Sequence, residues 1–112
     1  MLARRYAFAQ IQLGRLGEAE GALAAAVARD PQDEAAQVLY ARVLEKRGEL
    51  AKARGALDAA VAVDPFDPEL HDVYVAVAKG LKDDVLLERE KRALALALGE
   101  QAATKDTKEG TR

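Results

Sequence analysis

GRLGEAEGALAAAVARDP, residues 14–31, returns as GELAKARGALDAAVAVDP, residues 48–65. The closing prolines, Pro31 and Pro65, stand 34 residues apart. At that offset Gly14 meets Gly48, Leu16 meets Leu50, Ala19 meets Ala53, Leu23 meets Leu57, Ala26 meets Ala60 and Asp30 meets Asp64. The match continues upstream, where Tyr6 and Ala7 recur as Tyr40 and Ala41. A third copy opens after Pro65, with Tyr74 at the same spacing beyond Tyr40. A fixed period of this length marks an architecture in which each unit buries its apolar face against its neighbours.

Each unit reads as two helices. Leu2, Tyr6, Ala9 and Leu13 follow helical spacing along one face, and Gly14 and Gly17 break that helix. The second helix sets Ala19, Leu23, Ala26 and Val27 on one face. It stops at Asp30-Pro31, because the residue before proline disfavours the α region. Unit two repeats the pattern with Ala36, Tyr40, Val43 and Leu44, then Gly48, then Ala53, Leu57 and Ala60. Unit three opens with Asp67-Pro68-Glu69, a capping residue, a first-turn proline and an acid at the positive end of the helix dipole. Its first helix carries Leu70, Tyr74, Val77 and Ala78 and is expected to stop near Gly80. The last helix is expected from about Asp83 past Leu98, ending near Gly99. Residues 100–112, EQAATKDTKEGTR, are polar and non-periodic and are expected to fray or be disordered. The opening residues fall where a first helix should already be under way, as expected for a piece of a longer repeat protein.

This pattern resembles the tetratricopeptide repeat family, whose units are helix-turn-helix pairs of 34 residues. The residues that carry the resemblance are Gly14, Ala19, Leu23, Ala26 and Pro31 in unit one. In unit two they are Tyr40, Ala41, Gly48, Ala53, Leu57, Ala60 and Pro65. The resemblance implies an all-α fold: three stacked units, about 1–33, 34–67 and 68–99, forming a short right-handed superhelix, followed by the polar tail 100–112. Ala7 against Ala19, and Ala41 against Ala53, would let paired helices approach closely. Unit three departs from the pattern. Leu87 or Leu86 stands where a small residue is usual, and Lys91 or Glu90 where a large apolar one is usual. A capping helix with a polar outer face would look this way.

The chemistry classes that the composition excludes narrow the function. The chain has no Cys, Ser or Asn, and its threonines, Thr104, Thr107 and Thr111, all lie in the tail. A hydroxyl or thiol nucleophile therefore has no place in the folded part, and no enzyme activity or cofactor is expected. His71 is the only histidine, so a multi-histidine metal centre is ruled out; it reads as a helix-surface or partly packed residue rather than a general base or pH sensor. Asp64, Asp67, Asp72, Asp83 and Asp84 lack the spacing and central glycine of a calcium loop; Asp64 and Asp67 read as caps and turns, and Asp83 and Asp84 as acids at a helix start. The run Glu88-Arg89-Glu90-Lys91-Arg92 reads as a solvated face with pairs such as Glu88–Arg92. A net charge of −2 with interleaved signs offers no basic footprint for nucleic acid. No uncharged apolar window is long enough for membrane insertion. The compartment is not legible: the cytoplasm is the default, and such repeats also occur in bacterial envelopes.

The family resemblance implies a concave groove lined by the first helices, where another protein or peptide binds. Carried over by register, its partner-binding positions are Arg4, Phe8, Ile11 and Gln12 in unit one, Val38, Arg42 and Glu45 in unit two, and Asp72, Ala76 and Lys79 in unit three. Phe8 and Ile11 lie off the Leu2–Tyr6–Leu13 stripe, and large apolar side chains on a second face call for a second partner. Arg4 and Arg42 would give this patch a positive border. One sub-class of the family clamps acidic C-termini through Lys, Asn and Arg. Here the matching positions hold Phe8, Leu39 and Ala35, and only Arg4 survives, so that sub-class is rejected. The expected function is a non-catalytic interaction module that binds a peptide or helical segment. The alternative is a structural scaffold that forms a homo-oligomer through repeat stacking.

Overall fold

The computed structural model describes the backbone of residues 2–109 and the side chains of residues 3–99. Six helices follow in order: α1 (Leu2–Gln12), α2 (Leu16–Arg29), α3 (Glu34–Lys46), α4 (Leu50–Val63), α5 (Pro68–Leu81) and α6 (Asp84–Glu109). They pack as three pairs, α1 with α2, α3 with α4 and α5 with α6. Consecutive pairs stack through α2 on α3 and α4 on α5, and the first helices α1, α3 and α5 also touch in sequence.

The turn inside each pair is the same device used three times. Gly14, Gly48 and Lys82 have φ of 76°, 79° and 58° and stand at the repeat offset. In each case the next residue donates its N–H five residues back: Arg15 to Gln10, Glu49 to Leu44 and Asp83 to Ala78. This closes the last helical turn and satisfies a carbonyl that would otherwise lack a partner. Glycine takes a left-handed φ without Cβ strain, so Gly14 and Gly48 suit the position and Lys82 tolerates it. Gly17 lies inside α2 rather than breaking α1. α5 ends at Leu81, next to Gly80 as expected, with the left-handed turn at Lys82. A Cβ on Gly80 would lie 2.6 Å from Leu50 Cδ1, so this glycine lets α4 approach α5.

Aspartates begin the helices that follow a proline turn. Asp33 accepts from Ala36 N–H at 3.1 Å, and Asp67 from Glu69 N–H at 2.9 Å. Asp83 caps α6 through Leu86 N–H at 3.0 Å. Asp64 accepts from Phe66 N–H at 3.0 Å inside its turn. The expected capping and turn roles of Asp64 and Asp67 are therefore what these side chains do, and Asp83 stands at a helix start as expected. Among the described residues, no group of three His, Asp or Glu is placed to hold a metal ion.

Ala7, Ala19, Ala41 and Ala53 are fully buried where paired helices cross. Leu23 and Leu57 fill the space beside them. Of the stripe Leu2–Tyr6–Ala9–Leu13, the residues Tyr6, Ala9 and Leu13 are exposed and form no packing face of unit one; the Leu2 side chain lies outside the described residues. Tyr6 is 48% exposed and Leu13 64% exposed, while Ala7 and Ile11 carry the contact with α2. The reason is the direction of stacking. The equivalent residues Tyr40 and Val43, and Leu70, Tyr74 and Val77, pack on the second helix of the preceding unit.

Unit three resolves its departures by turning its second helix. Leu86 and Glu90 are buried, Leu87 is half-buried and Lys91 is exposed. Turning by one residue, about 100°, spares the lysine from burial and buries a carboxylate that finds a partner. That partner is His71, which is buried rather than on the surface (4% exposed; Glu90 is 3% exposed). The charge run Glu88–Arg92 is therefore solvated except at Glu90. Glu88 pairs with Lys91, at 3.7 Å, where Arg92 was expected. The last helix also passes through Gly99 and ends at Glu109 instead of near Gly99. One helical glycine costs only about 1 kcal/mol relative to alanine, too little to end a helix by itself. Of the expected frayed tail, residues 110–112 and the side chains of 100–109 lie outside the described residues.

Candidate functional site

A groove of about 800 Å³ runs across α1 and α3 to the start of α5. Unit one contributes Arg4, Arg5, Phe8, Ile11 and Gln12, and unit two contributes Ala35, Val38, Leu39, Arg42 and Lys46. Asp67 and Glu69 close its far side. These positions are repeat equivalents: Arg4 and Val38, Arg5 and Leu39, Phe8 and Arg42, Gln12 and Lys46, Ala35 and Glu69. The 3.6-residue turn places them on one face, and stacking lays the faces side by side.

Of the residues expected from sequence, Arg4, Phe8, Ile11, Gln12, Val38 and Arg42 come together here. Glu45, Asp72 and Lys79 do not line this groove. Register alone placed them on the concave face, but the groove closes at the α3–α5 seam and ends at Glu69. Glu45 is half-buried on α3, while Asp72 and Lys79 lie exposed further along α5. The sequence reading missed Arg5, Ala35, Leu39, Lys46, Asp67 and Glu69. The repeat offset could have supplied Lys46 from Gln12 and Leu39 from Arg5. The acids from the next unit had no such signal.

Val38 forms the floor, 3% exposed, whereas Phe8 stands 56% exposed in the wall. Ile11 lines the groove and is also partly core, packed against the cluster of Ala7, Ala19 and Leu23. The positive border is also partly offset. Arg4 Nε lies 3.5 Å from Asp33, and Arg42 donates to Glu69 Oε1 at 2.9 Å. Four basic side chains nevertheless face two acids around the rim. Beside the groove, Glu34 at the start of α3 sits among Asp64, Asp67 and Glu69. Burial and the neighbouring Asp67 push its carboxyl up to about 8, from an ordinary value near 4.5.

A second cavity of about 630 Å³ lies between α4, the turn at Pro65–Phe66 and α6. Its floor is a paired polar network. His71 Nε2 donates to the Pro65 carbonyl at 2.6 Å, and Nδ1 lies 2.7 Å from Glu90 Oε1. Arg89 donates to the other Glu90 oxygen at 2.9 Å, and its guanidinium lies 5.7 Å from the centre of the Tyr74 ring. The Tyr74 hydroxyl donates to Asp58; burial, then that carboxylate, push it above the ordinary tyrosine range. Unit two has a simpler version, in which Gln37 Nε2 donates to the Pro31 carbonyl at 3.3 Å. Because its polar groups already satisfy one another, this network serves to hold α6 on α5.

A sequence model described as tetratricopeptide repeat matches residues 10–75. No curated protein and no solved structure gives a match. Among the described residues, no helix is long and apolar enough to cross a membrane.

Proposed function

Because the chain belongs to the tetratricopeptide repeat family, we propose that it is a non-catalytic module that binds a protein segment in the groove of α1 and α3. Repeats of this family generally mediate protein–protein interaction, and the family is typically non-catalytic. The observation that carries the reading is Phe8, a large apolar side chain standing exposed in the wall of a concave, mixed-charge groove. Surface aromatic residues beside a buried apolar floor make anchoring sites, because the partner's apolar group leaves water on both sides. The segment that fits is extended or helical, with an apolar anchor on Phe8, Val38 and Leu39. Its acidic flanks meet Arg5, Lys46 and the outer faces of Arg4 and Arg42. The helix pairs present these groups from a stacked scaffold, so little ordering is lost on binding.

The test is a pull-down from native lysate with a Phe8→Glu control, followed by affinity measurement on the captured partner. Phe8→Ala weakens binding more than about tenfold and leaves the melting temperature nearly unchanged. Arg42→Glu slows association and lowers its salt sensitivity, since rim charges steer encounter. A Phe8→Ala variant with full affinity and a sharply lowered melting temperature would place Phe8 in the core and remove this groove from consideration.

A further inference from the structure

The cavity between α4, the turn at Pro65–Phe66 and α6 gathers side chains at which the repeat is broken. At the repeat offset, Asp58 stands for Ala24, Phe66 for Gln32 and His71 for Gln37. Arg89, Glu90 and Leu96 stand for Gly55, Ala56 and Ala62. Holding α6 on α5 accounts for His71 and Glu90, which are buried against each other. It does not account for Phe66 and Leu96, which line the cavity while 69% and 71% exposed. Nor does it account for the accessible charges of Asp58 and Arg89 beside them. We propose that this cavity binds a free α-amino acid with an aromatic side chain. Its ammonium meets Asp58, its carboxylate meets Arg89, and its ring lies against Val61, Phe66 and Leu96.

The volume, about 630 Å³, suits a small molecule, whose sites are mostly apolar with a few polar groups that fix orientation. Ala93 and Ala97 are small, so α6 leaves the room, and Val61, Phe66 and Leu96 supply the apolar walls. Tyr74 organises the polar end. Its hydroxyl donates to one oxygen of Asp58, and among the described residues the other oxygen has no partner. The Arg89 guanidinium lies 5.7 Å from the centre of the same ring; Glu90 holds it at Nε, and the side chain is 60% exposed. Asp58 and Arg89 thus flank one tyrosine and, among the described residues, form no ion pair with each other. A ligand with a single charge would be drawn to one of them and repelled by the other. A zwitterionic head meets both, through two charge-assisted hydrogen bonds. The Glu90 carboxylate does not compete for the ammonium, because its two oxygens are taken by His71 and Arg89. A peptide carries its termini apart, whereas a free amino acid carries both charges on one carbon, as two charges beside one ring require. The exposed faces of Phe66 and Leu96 leave water when the ligand ring covers them, and Phe66 offers that ring an aromatic contact.

The probe is L-phenylalanine, titrated into the full chain and followed by calorimetry and by methyl NMR. The methyl signals of Val61, Ala93 and Leu96 shift, while those of Ile11 and Val38 in the groove stay in place, which separates this site from the groove. Phenethylamine lacks the carboxylate and phenylpropionate lacks the ammonium. Each binds about tenfold more weakly or worse, the worth of one hydrogen bond to a charged group. Glycine, which has no ring, leaves the signals unmoved. Asp58→Asn keeps an oxygen for the Tyr74 hydroxyl, and Leu96 is exposed, so Asp58→Asn and Leu96→Glu both hold the wild-type melting temperature. Each weakens phenylalanine binding by about tenfold or more. Four results would each overturn the proposal. They are no shift at the solubility limit of phenylalanine, a single-charge analogue that binds as tightly, shifts confined to the groove, and undiminished binding by either variant.

Discussion

Glu34 shows how a single side chain can record the seam between units. Its Oε2 is enclosed and has no hydrogen-bond partner among the described residues, and Asp67 stands opposite. The folded carboxyl therefore holds its proton up to about 8, while the unfolded one releases it near 4.5. A raised folded value means stability that is fully present below the unfolded value and lost as pH climbs through the folded one. Glu34→Gln should accordingly melt higher than wild type at about pH 9 and nearly level with it at about pH 4, read by thermal melts at both. Lys82 is a second case. It holds a left-handed φ of 58° at the place where the earlier units have Gly14 and Gly48. Lys82→Gly should stabilise the fold by about 0.5–1 kcal/mol, visible as a raised denaturation midpoint. The glycine period in the sequence pointed to the first two turns. For the third, the helix end near Gly80 was legible, but the left-handed residue itself was not, because a lysine in this conformation has no compositional mark.

At the scale of elements, α6 is where repeat logic and side-chain chemistry part. An exact repeat would bury Leu87 and Lys91; the helix buries Leu86 and Glu90 and pairs Glu90 with His71. Breaking a buried pair by removing one member is costly, because the other is left in a dry site. Glu90→Leu should therefore lose about 3–5 kcal/mol of stability in denaturant titration. The double variant His71→Gln/Glu90→Leu should recover most of that loss, because glutamine can make the proline-carbonyl bond that Gln37 already makes. A double variant no better than the single one would mean that the pair does more than fix the roll of α6. The helix pairs α1–α2 and α3–α4 were legible from alanine and leucine periodicity. The burial of His71 was not, since its partner lies nineteen residues away on another helix.

For the molecule as a whole, stacking converts three similar units into two different ends and one continuous groove. Groove residues divide by depth. Val38, in the floor, is core as well as lining, so Val38→Ala should lower stability by about 1–3 kcal/mol. Phe8→Ala should leave stability unchanged, and comparing the two melting curves checks the division. The extents of 50 × 33 × 25 Å describe an elongated body in which α6 packs against α5. The sequence by itself determined the helix pairs, their turns, the buried alanines and the family, because period, small residues and glycine act locally or between adjacent helices. The family resemblance, carried over by register, also pointed to Arg4, Phe8, Ile11, Gln12, Val38 and Arg42, which line the groove. Only the tertiary structure decided which face of α1 stays open, where the groove ends at Asp67 and Glu69, and how α6 turns. Each of these depends on what the neighbouring unit supplies, and that is set by contacts between residues far apart in the chain.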